Sequence, residues 1–354
     1  MEKERETKII DKVVESDEII PFQYSITAYG ADYPVDGLVR RISDGSIFIP
    51  PFQRQFRWDR KRASRFVESL LLGLPVPGIF LSREEETNKL LVIDGHQRLR
   101  TLQCFYEGVF TDGKEFSLID VQQQYNGATY ESISEEDRRR LDDSILHATI
   151  VRQDEPSDDN SSVYQIFNRL NTGGVNLNPQ ELRACLYHGE FNDLLRSLNE
   201  NSCWRELFGP VSSRLRDQEL ILRFLALYFG GKYSKPMAGF LNKYMGANRH
   251  LKLQSSKQIS QVFNNTVETL KKHLGRNVFK PRGGLMAAIF DSIMVGIARR
   301  LEKGDIKDIE ALNRNYIALL SNKGFIGATE THTSDEENVV KRVKLATEAF
   351  GNIK

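Results

Sequence analysis

The sequence predicts a mixed α/β fold in the N-terminal half of the chain and a mainly α-helical fold in the C-terminal half. Two runs rich in apolar residues, 79–82 and 89–93, flank a polar segment and predict a pair of antiparallel strands. Apolar residues with helical spacing lie on both sides of this pair. After a polar stretch at 155–161, helical patterns follow one another almost without interruption.

The elements before the strand pair are a helix from residue 35, an extended stretch and a second helix. The extended stretch, residues 47–58, contains Pro50 and Pro51. Because proline cannot donate to a central ladder, this stretch predicts an edge strand or a loop. Asp59 is a suitable N-cap residue for the second helix.

Further strand candidates are residues 116–120 and 147–152, on either side of a charged segment. In the C-terminal half, Asn178 and Glu181 have the spacing of a capping box. Helical patterns there cover residues 220–229, 256–274, 284–301, 305–322 and 336–350. The predicted organisation is a charged leader at 1–30, an α/β domain at 31–158 and a helical domain at 159–354.

Composition excludes several classes of protein. The 354 residues include 49 basic and 48 acidic ones, a net charge of +1, so any nucleic-acid contact requires a local basic patch. Three widely spaced cysteines argue against a disulfide framework and a zinc site, which favours a reducing, cytoplasmic location. The sequence has neither a run of about 18 apolar residues, as a membrane span needs, nor a secretory signal.

The most informative local segment is VIDGHQR at residues 92–98, which predicts a strand, a short turn and a helix. Gly95 allows close backbone approach to a ligand, and the helix start offers free N–H groups. A cation in a first helical turn is unfavourable unless it meets an anion, so Arg98 indicates a phosphate or carboxylate ligand. A plain turn with solvated polar residues is the alternative. The residues that remain as candidates for Mg²⁺ binding, phosphate contact or proton transfer are Asp94, His96 and Gln97.

A second segment, residues 50–65, interleaves aromatic and basic residues. Arginines beside aromatic rings suit contacts with phosphates and bases. Arg54 and Arg57 are the preferred candidates because they precede the helix. For the helix itself, the favoured interpretation is that aromatics belong to the core and basic residues coat a solvated face. The candidates for DNA or phosphate contact in this segment are Arg57, Arg60, Lys61 and Arg65.

A third segment, residues 167–174, ends in Thr-Gly-Gly and offers Asn168 and Arg169 as pocket or DNA contacts. A helix C-terminus explains the same residues without a ligand. Other chemistry is absent from the sequence: there is no P-loop, no GxSxG motif and no His/Cys spacing suited to zinc.

The segments IPPFQRQFRW, LPVPGIF, VIDGHQR and FNRLNTGG occur in this order. Together they resemble the N-terminal domain of GmrSD-type modification-dependent restriction proteins, which is related to phosphorothioate-sensing defence proteins. That domain belongs to the ParB/sulfiredoxin-like superfamily. The resemblance covers about residues 35–190.

The resemblance implies an α/β (α+β) domain that binds a nucleoside triphosphate with Mg²⁺ at residues 94–98. In relatives this turn supports hydrolysis that licenses or regulates attack on DNA. Carried over by position, it assigns the metal or a water to Asp94, close backbone approach to Gly95, and phosphate contacts to Gln97, Arg98 and Arg54. His96 replaces the family's usual glutamine. Because histidine also donates to phosphate, binding is expected to persist.

Restriction proteins of this type carry a His-Asn-His nuclease, and the helical half here offers no such unit. Three hypotheses follow: an NTP-hydrolysing enzyme of bacterial anti-phage defence, a ParB-like NTP-dependent DNA-binding switch, or a non-catalytic regulatory subunit. DNA, modified or not, and a nuclease or other defence protein are the expected partners. No membrane contact is expected, and the oligomeric state stays open.

Overall fold

The fold is described from a computed structural model of the chain. The residues that it describes are 7, 25–49, 56–84, 87–155, 164, 166 and 178–354. They fall into two compact units. Residues 25–155 belong to the first, called the sheet unit, and residues 178–354 to the second, called the helical unit. No described helix is long and apolar enough to cross a membrane.

The sheet unit contains a five-stranded sheet with helices packed against it. In chain order the elements are β1 (Ser25–Pro34), α1 (Val35–Ser43), β2 (Ile47–Phe48), α2 (Arg60–Leu71), β3 (Ile79–Arg83), β4 (Leu90–Asp94), α3 (His96–Glu107), α4 (Glu135–Asp143) and β5 (Ile145–Glu155). The strand order is β1-β5-β3-β4-β2. The β1–β5 and β3–β4 pairs are antiparallel, whereas β5–β3 and β4–β2 are parallel.

Two apolar clusters hold the sheet unit together. One lies between α1 and the sheet, where Leu38 packs with inward residues of β3, β4 and β5 such as Leu81, Val92 and Ala148. The other joins the helices, with Phe66 of α2 and Phe105 of α3 near its centre. Leu90 and Val92 of β4 belong to the first cluster. The strand ends at Asp94, and α3 begins two residues later at His96.

Most predicted elements of this half are confirmed, including the β3–β4 pair, the strand over 147–152 and the edge position of residues 47–48. Residues 116–120 are not a strand, so that prediction is wrong. Phe116 and Leu118 are buried because the loop packs against α2 and α3, and burial alone produced the alternating pattern.

Strand β1 begins at Ser25, inside the stretch assigned to the charged leader. It pairs with β5 along the edge of the sheet, and residues 27–30 are exposed. An exposed edge strand needs few apolar residues, so its sequence lacks the alternation that would have predicted it.

The helical unit confirms the helical prediction for the C-terminal half. Its helices are α5 (Pro179–Leu186), α6 (Glu190–Asn199), α7 (Ser202–Phe208), α8 (Arg216–Phe229), α9 (Met237–Ala247), α10 (Ser256–Leu274), α11 (Ala287–Leu301), α12 (Ile309–Ser321), α13 (Lys323–Glu330) and α14 (Glu336–Gly351). The capping box is present: Asn178 Oδ1 accepts from Glu181 N at 2.9 Å, and Glu181 Oε2 accepts from Asn178 N at 2.7 Å.

A buried ion cluster joins three helices of this unit. The Asp291 carboxylate on α11 accepts hydrogen bonds from Arg223 on α8 at 2.6 and 3.1 Å and from Arg342 on α14 at 3.0 Å. Arg223 is 4 % exposed, and the other two side chains are fully buried. One buried carboxylate therefore neutralises two guanidinium groups only in part, and burial lowers the pKa of Arg342.

Candidate functional site

The candidate site lies where β4 passes into α3. The apolar residues of β4 are buried, Gly95 turns the chain with φ of 95°, and α3 begins at His96. No side chain caps this helix start within the described residues. The first-turn N–H groups and the positive end of the helix dipole therefore lie at the β4–α3 turn.

Gly95 is required by its packing as well as by its backbone conformation. A Cβ atom at this position would lie 2.4 Å from Ile79 Cγ2, which is too close for any side chain. The close approach that the sequence assigned to a ligand is thus made, on this side of the turn, by Ile79 of β3. Gly95 shapes the turn from which the neighbouring groups project.

Arg98 fixes the geometry of the turn. Its Nη2 atom donates to the Gly78 carbonyl oxygen at 2.9 Å and to Asp94 Oδ2 at 3.0 Å. The Arg98 side chain is 15 % exposed, whereas the Asp94 side chain is 48 % exposed. Among the described residues, the anion that this first-turn arginine meets is therefore Asp94. Arg98 Nε is buried and has no hydrogen-bond partner among the described residues, so the guanidinium retains donor capacity.

Gln97 joins the turn to the segment that precedes α2. Its Oε1 atom accepts hydrogen bonds from the backbone N–H groups of Arg57 at 3.0 Å and Trp58 at 3.1 Å. Two segments about 40 residues apart in sequence are therefore held side by side. Sequence reasoning assigned Gln97 to phosphate contact and missed this positioning role, since spacing alone does not indicate a bond to a distant backbone.

The hydrogen bonds of Gln97 also define the protonation of His96. Because Gln97 Oε1 accepts two bonds, its Nε2 is the donor in the 2.7 Å contact with His96 Nε2. His96 Nε2 is then an acceptor, and the neutral ring carries its proton on Nδ1. Burial, aided by the charges of Arg98 and Arg57 and opposed by Asp94, lowers the pKa of His96 below its usual 6.5. The imidazole is therefore neutral at pH 7.

The basic residues at the start of α2 are engaged by acids of the same unit. Arg60 contacts Asp112 at 3.1 Å and lies over the Phe110 ring, with 4.8 Å to the ring centroid. Lys61 and Arg65 both contact Asp120, at 2.6 and 2.8 Å. These pairs favour the solvated-face interpretation over nucleic-acid contact.

The aromatics of this segment are packing residues. Phe56 and Trp58 are partly buried against the helical cluster, where Phe56 meets Phe110 edge to face with the ring centroids 5.4 Å apart. Arg57 lies between them, is exposed, and is held to the turn through its backbone. Of the basic residues predicted to contact DNA or phosphate, the described structure brings Arg57 to the turn.

The remaining predicted residues are Arg54, Asn168 and Arg169, and they lie outside the described residues. Among the described residues no group of three or more His, Cys, Asp or Glu side chains could hold a metal ion. Asp94 is the one carboxylate that the described part of the turn offers. A Mg²⁺ ion there would take most of its ligands from water and phosphate oxygens, which is its usual habit in triphosphate sites.

Comparison with known proteins found a family model that matches most of the sheet unit and the first helix of the helical unit. Residues 35–188 match the family described as GmrSD restriction endonuclease, N-terminal domain. The match begins with α1 and includes the β3–β4 pair, the glycine turn and α3. The comparison with curated proteins found no match. Residues 35–188 are therefore similar to the N-terminal domains of GmrSD restriction endonucleases.

Proposed function

We propose that the chain is a restriction- or defence-related protein that binds a nucleoside triphosphate at the β4–α3 turn. The observation that supports this most is the combination at one helix start: an uncapped N-terminus and an arginine whose Nε is buried without a described partner. Helix starts and arginine forks are both phosphate-binding devices. The family match makes a role in restriction or defence the natural setting.

The residues of the turn have distinct proposed roles. Arg98 would donate to a phosphate oxygen through Nε while Nη2 keeps its bonds to Asp94 and the Gly78 carbonyl. Asp94 is half exposed and would hold a Mg²⁺-bound water. A bound Mg²⁺ ion would supply charge neutralisation for the phosphates. His96, neutral at pH 7, would donate its Nδ1–H to a phosphate oxygen, because its Nε2 already accepts a hydrogen bond from Gln97.

Hydrolysis, DNA contact and the ParB/sulfiredoxin-like fold are finer parts of the same proposal. The sequence offers no His-Asn-His unit, so we infer that nucleotide turnover regulates a partner nuclease or a DNA-binding step. Arg57 is the exposed cation best placed to contact a ligand that extends beyond the turn. Modified DNA is the partner that the family's restriction role suggests.

The test is nucleotide binding and turnover by the purified chain with ATP, GTP and CTP, with and without Mg²⁺ and modified DNA. Arg98→Ala is expected to weaken binding at least tenfold, since a charge-assisted bond contributes about 1.5–3 kcal/mol. Arg100→Ala is the matched control: it removes the same charge from an exposed position of α3, where the side chain bonds Gln103. Its affinity should stay within about twofold of wild type.

The outcomes separate the hypotheses. Turnover that is lost in Arg98→Ala and Asp94→Asn supports an NTPase, and stimulation by DNA ties it to defence. Binding without turnover supports the switch. If both arginine variants bind like wild type, or the folded chain binds no nucleotide, the turn is not a triphosphate site.

A further inference from the structure

We propose that a second phosphate-binding site lies in a groove at the opposite end of the β3–β4 pair. The groove has a volume of about 360 Å³ and lies beside the C-terminal end of α1 and the hairpin that precedes β4. It is lined mainly by polar and charged residues, among them Tyr33, Arg41, Asp44, Arg83 and Lys89. Arg83 pairs with Leu90, and Phe80 pairs with Asp94. Leu90 and Asp94 are four residues apart on β4, so the groove lies about 13 Å along this strand from the β4–α3 turn.

The groove concentrates cations that form no ion pair within the described part of the chain. Arg41, Arg83 and Lys89 line it, and none forms an ion pair with a described residue. The basic residues of α2 differ, because Arg60 and Lys61 each contact an aspartate. Cations that converge on a concave surface attract an anion, and they repel one another without it.

One carboxylate lies among these cations and does not neutralise them. Asp44 Oδ1 accepts a hydrogen bond from the backbone N–H of Ser46 at 2.8 Å. Hydrogen bonds from Ser46, with the charge of Arg41, lower the pKa of Asp44 and keep it ionised. The groove lining still contains three cations and one anion.

Both arginines are oriented by aromatic rings. The Arg83 guanidinium lies over the Tyr29 ring, with 5.9 Å from Cζ to the ring centroid, and Arg41 lies over Tyr33 at 5.5 Å. Arg83 is partly buried, and its Nε is buried without a hydrogen-bond partner among the described residues. A guanidinium held over a ring is restricted in its motion and keeps N–H donors for the oxygens of a phosphate.

The dipole of α1 explains only part of this cluster. Arg41 lies in the last turn of α1, where a cation is favourable in any case. Arg83 ends β3 and Lys89 precedes β4, so neither has a helix end of its own to complement. A phosphate ester accounts for all three positions. It could come from a nucleic-acid strand or from a mononucleotide.

The experiment measures binding to the full chain of two probes: a labelled single-stranded oligonucleotide of about 12 nucleotides, by fluorescence anisotropy, and adenosine 5′-monophosphate, by calorimetry. The Arg83→Gln/Lys89→Gln double variant is compared with Arg139→Gln. Arg139 is an exposed α4 arginine that pairs with Glu135. All titrations are repeated with variants that also carry Arg98→Ala, so that the β4–α3 turn does not contribute to the measured affinity. Thermal unfolding confirms that each variant is folded.

We expect the double variant to weaken oligonucleotide binding about tenfold or more. The slope of log affinity against log salt should fall by about 1.4, or 0.7 for each lost phosphate contact. Arg139→Gln should stay within about twofold of its parent. Binding of the oligonucleotide alone identifies a phosphodiester site, and binding of both probes a site for any nucleotide phosphate. Equal affinities in the double variant and Arg139→Gln, or no binding of either probe, overturn the proposal.

Discussion

His96 has a protonation state that follows from its immediate neighbours. Gln97 donates to its Nε2, and burial with the charges of Arg98 and Arg57 lowers its pKa. The Nδ1–H is the donor that the neutral ring retains. Nε2 can take up a proton only if it gives up the hydrogen bond from Gln97.

The lowered pKa predicts a specific pH dependence of stability. In the unfolded chain His96 protonates near its usual pKa of 6.5, whereas in the folded chain it protonates at a lower pH. Below pH 6.5 the unfolded state therefore binds more protons, and stability falls until the pH reaches the lowered folded pKa. The free energy of unfolding of wild type relative to His96→Gln should decrease between pH 7 and pH 5. A difference that stays constant or grows toward low pH contradicts the neutral, buried imidazole.

Gly95 predicts the cost of adding a single methyl group at the turn. Gly95→Ala combines a left-handed backbone with a clash against Ile79, so we expect a loss of about 2–5 kcal/mol in the free energy of unfolding. Gly108→Ala is the matched control, since Gly108 is also left-handed but a Cβ atom added there would meet nothing within 4 Å. That variant should lose about 1–2 kcal/mol.

Urea unfolding measures both glycine variants. The Ile79→Ala change, made in each background, isolates the clash. The Ile79→Ala change should lower the free energy of unfolding less in the Gly95→Ala protein than in wild type, because the smaller side chain relieves the overlap. Equal losses at Gly95 and Gly108 would mean that backbone conformation alone selects glycine at the turn.

Between elements, the cluster around Asp291 determines how α8, α11 and α14 pack. Two buried guanidinium groups share one buried carboxylate, so removing the anion takes away the ion pair of both cations. Asp291→Asn keeps the shape and removes the charge. We expect it to lower the free energy of unfolding by about 3–5 kcal/mol in urea titrations.

The control for this cluster is Glu310→Gln on α12, which removes an exposed carboxylate at 3.8 Å from Arg314. Its expected effect is below about 0.5 kcal/mol, as for most surface pairs. A comparable loss in both variants would contradict a special role for the buried anion.

The elements that sequence predicted well are those whose pattern has one physical cause. In the β3–β4 pair and in α3, apolar residues recur with the period of a strand or a helix because one face of each element is buried. Residues 116–120 imitate a strand because a loop buries Phe116 and Leu118 under helices. Strand β1 is held by backbone hydrogen bonds to β5. Such bonds do not require a particular pattern of apolar and polar side chains, so the sequence did not predict this strand.

Across the whole molecule, the distribution of charge is more informative than its sum. A net charge of +1 gives no reason to expect an anionic ligand. Sequence singled out the basic run before and within α2, but Asp112 and Asp120, more than 40 residues later, neutralise much of it. The cations of the groove come from the end of α1 and from the β3–β4 hairpin, about 40 residues apart, and the fold brings them together. The turn of residues 94–98 could be predicted from the sequence because its residues are adjacent along the chain, unlike those of the groove.

The attachment of Arg57 and Trp58 to Gln97 determines which of these side chains can be exchanged without loss of the contact. The contact uses only main-chain N–H groups of the attached segment, so it requires glutamine at 97 but no particular side chain at 57. Residue 57 can therefore be exchanged for one of different size or charge without releasing the segment from the turn. The two segments are thus attached through the main chain, so a change of side chain at position 57, by evolution or by design, leaves these two bonds in place.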